Sequence, residues 1–416
     1  MNDNTLNKNP FQGSFGSLEN LVDKISDVLK CPVTIEDANH RLLAYSSHDE
    51  RTDSARIATI MGRRVPEKVI NSLWRDGIMP KLIQSEEPVR ISEITEVGLG
   101  DRIAITIRRK NEILGYIWAL EIDNHLLDEE LALLKKAAQA AKNQLLQLKG
   151  RKLKREKGHQ EFFWQLLTGH LKSHEEINES FEQLNIRAPF PVSVIVFQFQ
   201  HDINPKIERY ISYMITTTQK LSVTFHVIDG NELILLCSPP PMTKGKLDAS
   251  EFIDDFITQM NHRFNISQIQ GSCGNIYENY QRIEASYQEA LTVLQVKNQF
   301  PKEVGDTNSY QQLGIYRYLD VLLQKNEEDG YENTSLQKLT DYDTLHKTQL
   351  LATLEVFLNK DNVNEAAKEL NVHNNTLNYR LKRISDVGDI NLRSPNEKMT
   401  LYLDIKLNKL KKNGRL

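Results

Sequence analysis

The side chains best equipped for chemistry lie near the end of the chain, in His373, Asn374, Asn375, Thr376, Asn378, Tyr379, Arg380, Lys382 and Arg383. An amide can bond an adenine edge through two atoms at once, threonine can meet a thymine methyl or a phosphate, and arginine or lysine can reach guanine edges and phosphates. This is the chemistry of reading duplex DNA. The flanking apolar residues supply a scaffold for it. Val363, Ala366, Ala367 and Leu370 recur at helical spacing, and Leu377, Leu381 and Ile384 form a second inward stripe. Asn362 and Glu365 hold the two positions of a capping box. Two short helices joined by about three residues predict a helix-turn-helix whose second helix enters the major groove. The same spacing also fits two packed amphipathic helices with a solvated outer face, and spacing alone leaves both open.

Composition restricts where DNA contact can occur. The 416 residues carry a formal net charge of −4, which argues against a protein that coats nucleic acid along its length, since that affinity comes from cations on phosphates. Any contact must be local. Arg380, Lys382, Arg383, Lys406, Lys409, Lys411, Lys412 and Arg415 concentrate positive charge at the end of the chain, and Lys406 to Lys412 are expected on phosphates across the groove. No run of eighteen apolar residues and no signal-peptide pattern is found, so the expectation is a cytoplasmic protein with no membrane partner.

Other chemistry-bearing residues are less organised. Cys31, Cys237 and Cys273 are odd in number and far apart, which suggests neither a disulfide framework nor a zinc site. His170 and His174 are four apart in what reads as a loop, without a third ligand. Gly98-Leu-Gly100 lacks the helix and Lys-Ser/Thr of a phosphate loop and reads as a turn. No nucleophile elbow is present. The expectation is a non-enzyme with no cofactor and no metal.

The elements that position these groups follow from periodicity. The polar stretch 1–16 reads as disordered. Leu18 to Leu29 reads as a helix, two strands flank Asp37-Ala-Asn-His40, Glu67 to Trp74 is helical, and strands recur at 88–91, 102–108 and 113–121. This is an α+β sensor pattern of the GAF or PAS kind, whose sheet holds small molecules under its covering segments. Tyr45, Trp74, Tyr116 and Trp118 are candidates for an apolar wall, and Arg90 or Arg102 for a ligand carboxylate. Core aromatics and solvated arginines are the plainer reading of each.

Leu127, Leu131, Leu134, Ala138, Ala141, Leu145 and Leu148 alternate spacings of four and three, a seam suited to dimerisation or to packing on the protein's own sheet. Lys149 to Lys157 reads as a solvated basic linker. A helical start then leads into strand, helix, two strands, helix and strand between 192 and 272, a ferredoxin-like βαββαβ order. Residues 300–309 read as a linker, Leu313 to Leu323 as a helical patch, 326–334 as an acidic loop and Asp343 to Leu358 as one helix beneath the helix-turn-helix. Ser394, Pro395 and Glu397 open a closing helix whose Met399, Tyr402 and Ile405 point to the core.

Thr353-Leu354, Ala366-Ala367 with Leu370, the run from Val372 to Ile384 and Leu401-Tyr-Leu together resemble the DNA-binding domain of the PucR/CdaR family of bacterial transcriptional regulators. The family run commonly has arginine where this chain has Asn374. Gly271-Ser-Cys-Gly274 leading to Ala285-Ser-Tyr-Gln-Glu-Ala-Leu291 is similar to the family's degenerate GGDEF-like middle domain. The turn Asp229-Gly-Asn-Glu-Leu233 lacks the paired glycines and adjacent acids that a nucleotide cyclase needs, so Asp229 and Glu232 are expected to be turn residues. The front half, through Thr34 to Ser46, Gly62 to Ile70 and Gly115 to Glu121, is similar to proline-utilisation activators.

The resemblance implies a multidomain α+β chain. A disordered start (1–16) precedes a GAF-like sensor (17–126), a signalling helix and linker (127–158) and a GGDEF-like domain (159–300). A linker and helix (301–342) and an all-α helix-turn-helix domain (343–416) follow. It further implies an activator of amino-acid catabolism genes, with promoter DNA, a small effector (proline first), a second copy of the chain and RNA polymerase as partners. Two rivals remain open: a nucleotide-handling enzyme using the middle domain, and an adaptor whose helix-turn-helix binds protein.

Overall fold

The computed structural model describes residues 10–11, 15–46, 52–122, 125–171, 173–186, 190–240 and 247–413, with side chains throughout except at 149–157 and 413. Two compact units divide the chain, Met1–Ala290 and Leu291–Leu416.

The first unit opens with α1 (Leu18–Leu29), whose inward face is Leu18, Leu21, Val22, Ile25 and Leu29 and whose start is capped by the Ser17 side chain. Strands β1 (Val33–Asp37) and β2 (Leu42–Tyr45) follow, then α2 (Ser54–Gly62), α3 (Glu67–Arg75), α4 (Ile78–Gln84), β3 (Val89–Ile91), β4 (Arg102–Arg109) and β5 (Glu112–Leu120). The strands form one antiparallel sheet in the order β2-β1-β5-β4-β3. Alternation assigns its faces. Val33, Ile35, Ile103, Ile105, Ile117 and Ala119 pack against α1 and the next helix, α5 (Asp128–Leu167). Thr34, Glu36, Arg102, Ala104, Tyr116 and Trp118 lie on the other face and are also buried. Phe11 is buried and Phe15 packs on this core, with the Gln144 amide donating to the Phe15 carbonyl at 2.8 Å, which corrects the disorder expected there. Residues 1–9 and 12–14 of that stretch lie outside the described residues.

Helix α5 corrects two further expectations. Leu134, Ala138, Ala141 and Leu145 are buried against the protein's own sheet and α1, and Leu131 packs beside them. They cannot serve as a free dimer seam. Leu127 and Leu148 remain exposed. The helix also runs unbroken through the basic stretch expected to be a linker, about 60 Å in all. The side chains of Lys149 to Lys157 lie outside the described residues. Its end buries Phe162, Phe163, Leu166 and Leu167, and Phe163 stacks on Phe225.

Next come α6 (His174–Gln183), β6 (Ser193–Phe199), α7 (Pro205–Thr217), β7 (Ser222–Asp229), β8 (Glu232–Ser238), α8 (Ala249–Phe264), β9 (Ile269–Cys273) and α9 (Ile283–Gln299). The sheet order β7-β8-β6-β9, antiparallel throughout, is the ferredoxin-like arrangement that the element order predicts. Gly274 is required by packing, because a Cβ there would strike the Ser286 backbone of α9. The Ser286 hydroxyl in turn accepts from Val194 N at 2.9 Å and donates to the Asn275 carbonyl at 3.0 Å, so the glycine-serine pairing locks helix to sheet.

In the second unit, α10 (Pro301–Val304) buries Phe300 and Val304, so the expected linker is a packed turn. A 3-10 segment, Tyr310–Tyr318, breaks at Gly314, and α11 (Leu319–Glu328) takes in the start of the expected acidic loop. The single helix expected from Asp343 is two, α12 (Thr334–His346) and α13 (Leu350–Lys360). The Asp343 carboxylate causes the break: it accepts from the Thr348 hydroxyl at 2.6 Å, Leu350 N at 2.7 Å and Leu351 N at 2.9 Å, capping the new helix. Helices α14 (Val363–Glu369), α15 (Asn374–Gly388) and α16 (Pro395–Asn413) complete the chain. Ser394 caps α16 as the sequence predicts. Ile405 reaches the core and Tyr402 bonds Tyr316, but Met399 is 60% exposed, a correction that follows from its position on the outer side of that helix.

Candidate nucleic-acid interface

The recognition motif is built from α14 and α15. The Asn362 side chain accepts from Asn364 N and Glu365 N, which supplies half of the expected capping box; among the described residues Glu365 returns no bond. Ala366 and Ala367 face inward, and their small size lets α14 approach α13 and α15 closely. Asn371, with φ of 56°, turns the chain, and His373 caps α15 by accepting from Asn375 N at 3.2 Å. Leu377, Leu381 and Ile384 are buried, each worth about 1.5–3 kcal/mol of transfer free energy, and they fix the face that α15 presents to solvent.

That face divides the predicted row into two groups. Asn375, Thr376, Asn378, Tyr379 and Lys382 are exposed, and their side chains make no hydrogen bond among the described residues. Asn375, Tyr379 and Lys382 lie at i, i+4 and i+7, a single stripe, with Tyr379 71% exposed at its centre. The others are already engaged. Asn374 donates to the Asn364 side chain at 2.6 Å, so where arginine is common in the family resemblance this chain has a clip between its two motif helices. Arg380 reaches Thr353 at 3.4 Å, and Arg383 bonds the Tyr342 hydroxyl at 2.9 and 3.1 Å with its guanidinium 5.0 Å from the ring centre. Both arginines sit at the rim of the stripe.

Lys406 departs from the sequence reading. Its ammonium is buried between Glu303 at 2.7 Å and Glu355 at 3.3 Å, and Lys409 pairs with Glu355 too. The position faces inward because Ile405, Leu407 and Leu410 turn the whole of that segment toward the two cores. Lys411 and Lys412 stay exposed, while Arg415 lies outside the described residues.

In the first unit the six effector candidates separate as well. Arg102 and Trp118 line a cavity between the sheet and helices α2 and α3. Arg90 does not: it clasps Glu121 at 2.6 Å and the Leu126 carbonyl at 2.8 Å. Tyr45 lies beneath Arg63 on β2, Tyr116 stacks on His40 at 4.8 Å, and the Trp74 indole donates to the Tyr213 hydroxyl at 2.7 Å. The cavity also holds Glu36 and Arg56, which sequence reasoning missed. Asp53, whose carboxylate caps α2, was the available signal for the helix that carries Arg56.

The cavity is lined by both charged and apolar side chains. Asp53 pairs with Arg102 and accepts from Gly100 N at 3.0 Å. Arg56 donates to the Ser46 carbonyl at 3.2 Å, while its Nε has no partner among the described residues. Burial, and then the neighbouring guanidinium of Arg102, lower the Arg56 pKa. Glu36 accepts from the Trp118 indole and the His40 ring, both at 3.0 Å. His40, behind the cavity residue Glu36, meets the edge of Tyr213 on α7 of the ferredoxin-like domain.

Elsewhere the motifs are absorbed by structure. Asn231 bonds the Phe199 carbonyl, Gly230 accepts from Ile203 N, and Gln198 donates to Glu232, which braces the turn; Asp229 and Glu232, expected in the turn itself, are the paired strand ends that flank it. His170 bonds Thr168 at 2.6 Å. Gly98 ends a 3-10 turn, and Ile94 and Leu99 bridge across it. No group of three metal-ligating side chains occurs among the described residues, and no helix there is long and apolar enough to cross a membrane.

Comparison with known proteins places these parts. Residues 350–407 match the PucR C-terminal helix-turn-helix domain and residues 168–296 a GGDEF-like domain. The chain is 47% identical over 404 residues to the DNA-binding transcriptional activator AdeR of Bacillus subtilis, covering 97% of this chain and 96% of that protein. It is 31% identical over 407 residues to the proline-responsive transcriptional activator PutR of the same organism (96% and 98%). It is 28% identical over 196 residues to the carbohydrate diacid regulator of Escherichia coli (46% and 49%). With its recognition helix and its GGDEF-like domain in the places those matches require, the chain belongs to the PucR family of DNA-binding transcriptional regulators.

Proposed function

We propose that this protein is an effector-responsive transcriptional activator, with the N-terminal sheet as a sensor of the GAF or PAS kind and a small amino acid, proline first, as its effector. The observation that carries this reading is the joint presence of an exposed amide and tyrosine stripe on α15 and a charged cavity under the N-terminal sheet. The strand order β2-β1-β5-β4-β3 with helices over both faces supports the sensor assignment. Activation and proline response are properties named for relatives at 47% and 31% identity, and they come to this chain as inference. The protein acts in the cytoplasm, without catalysis, on promoter DNA and through RNA polymerase. Paired half-sites call for two recognition helices and hence a dimer. Its dimer interface lies outside the four α5 residues that the N-terminal sheet has taken.

The test is footprinting of the full-length protein on the promoters flanking its own gene, at fixed salt, with and without L-proline. Protection that tightens or moves with proline is the expected outcome. Protection indifferent to proline removes that effector and keeps the DNA-binding regulator. GTP turnover that is lost on Asp229→Ala would establish the enzyme reading instead.

A further inference from the structure

We propose that the cavity lined by Arg56, Glu36 and Trp118 is the effector site, and that it takes a small α-amino acid as its zwitterion, with the carboxylate on Arg56 and the ammonium toward Glu36. The inference rests on the sensor reading above and specifies where and how the effector is held.

Arg56 is 4% exposed and Arg102 is 8% exposed, yet one carboxylate, Asp53, is engaged with Arg102 and with the cap of α2. Among the described residues the Arg56 guanidinium hydrogen-bonds only the neutral oxygens of Ser46, the Asp53 carboxylate attracts it without a direct bond, and its Nε is buried without an acceptor. A buried guanidinium with an unfilled donor is costly, and an anion delivered to it recovers both the charge pairing and the hydrogen bond. A carboxylate matches the planar donor fork of arginine in shape as well as sign.

Glu36 supplies the complementary end. Its Oε2 is held by Trp118 and His40, so the carboxylate is oriented before any ligand arrives. An ammonium beside it satisfies a second buried charge. Val65, Val69 and Leu73 of the α3 side and Leu99 leave a short apolar wall opposite, which suits a small aliphatic side chain or ring and penalises a long or charged one. Because Glu36 bonds His40, and His40 touches Tyr213, a chain of contacts links the cavity to the ferredoxin-like domain.

The experiment titrates the full-length protein with each of the standard L-amino acids, with pyrrolidine (no carboxylate) and with N-acetyl-L-proline (no ammonium), reading thermal shift and calorimetric Kd. At least one small aliphatic amino acid should bind, and the two analogues should not. Arg56→Gln should weaken that binding about tenfold to a hundredfold, the loss of a charged buried hydrogen bond. Val69→Leu, which fills apolar space and leaves the charges in place, should weaken it with the fold intact by circular dichroism. If no amino acid binds, or if binding survives both substitutions at wild-type strength, the proposal is overturned. The two readings separate in the footprint: effector-dependent protection retained by Arg56→Gln would overturn this site and leave the sensor in place.

Discussion

Lys406 offers the sharpest contest between a sequence reading and the fold. Replacing it with methionine keeps the aliphatic stem and removes the ammonium from Glu303 and Glu355. Stripping one member from a fully buried ion pair costs about 3–5 kcal/mol. Here Lys406 is 1% exposed but the two carboxylates are 19% and 20% exposed, and Lys409 still attends Glu355, so the expected loss is about 2–3 kcal/mol. Glu303, Glu355 and Lys406 belong to α10, α13 and α16, so the loss should appear as opening of those helices. Hydrogen exchange of peptides from α13 and α16 should speed up by about thirty- to a hundred-and-fifty-fold. The affinity of a footprinted promoter fragment, measured from low to high salt, should keep its slope. In Lys411→Gln with Lys412→Gln it should fall by about 0.9 for each phosphate that is no longer neutralised. A slope reduced by about one in Lys406→Met, with exchange unchanged, would refute this reasoning and return Lys406 to the DNA backbone.

Asp343→Ala should destabilise the second unit by about 1–2 kcal/mol in chemical denaturation, because three donors lose one carboxylate, and Asp343→Asn should recover part of that. Tyr379→Ala should change stability by less than about 0.5 kcal/mol while weakening promoter binding, since the ring is 71% exposed at the centre of the stripe. Arg380→Ala with Arg383→Ala should reduce affinity across unrelated sequences and lower the salt slope if both lie on phosphates, whereas removal of base-reading bonds would cost about 1–3 kcal/mol each on the operator alone. Cys31, Cys237 and Cys273 are buried, and burial pushes the Cys31 thiol up to about 12, so all three should resist a disulfide reagent at pH 8 and react together on unfolding.

Regular periodicity was legible, and side-chain logic between elements was not. Leu377, Leu381 and Ile384 announce the inward stripe of α15, and alternation announces the strands of both sheets. Helix α2 is hidden in the sequence because Arg56 and Thr59 occupy its buried face, where apolar residues would have marked a stripe. The division of α12 from α13 depends on Asp343 reaching seven residues ahead to Leu350, which no local period encodes. The seam of α5 was real, but a heptad spacing does not name its partner, and α1 with the sheet took it. The same holds for the candidate cavity. Arg102 and Trp118 stand on strands whose faces can be counted, while Glu36 acquires meaning only through the pairing of β1 with β5 that sets it opposite Tyr116.

Helix α5 also bears on how such proteins can be cut and rejoined. It ties the N-terminal sheet to the ferredoxin-like domain along its length, and the same two domains meet again where Trp74 bonds Tyr213. Two joints make a closed linkage. One residue inserted within 149–157 would turn everything beyond it by about 100° and advance it by about 1.5 Å, which the second joint cannot follow. Seven residues restore the angle to within about 20° but lengthen the span by about 10 Å. In this chain, replacement of the sensor should therefore preserve function when the helix keeps its residue count and the Trp74 and Tyr213 surfaces travel as a matched pair.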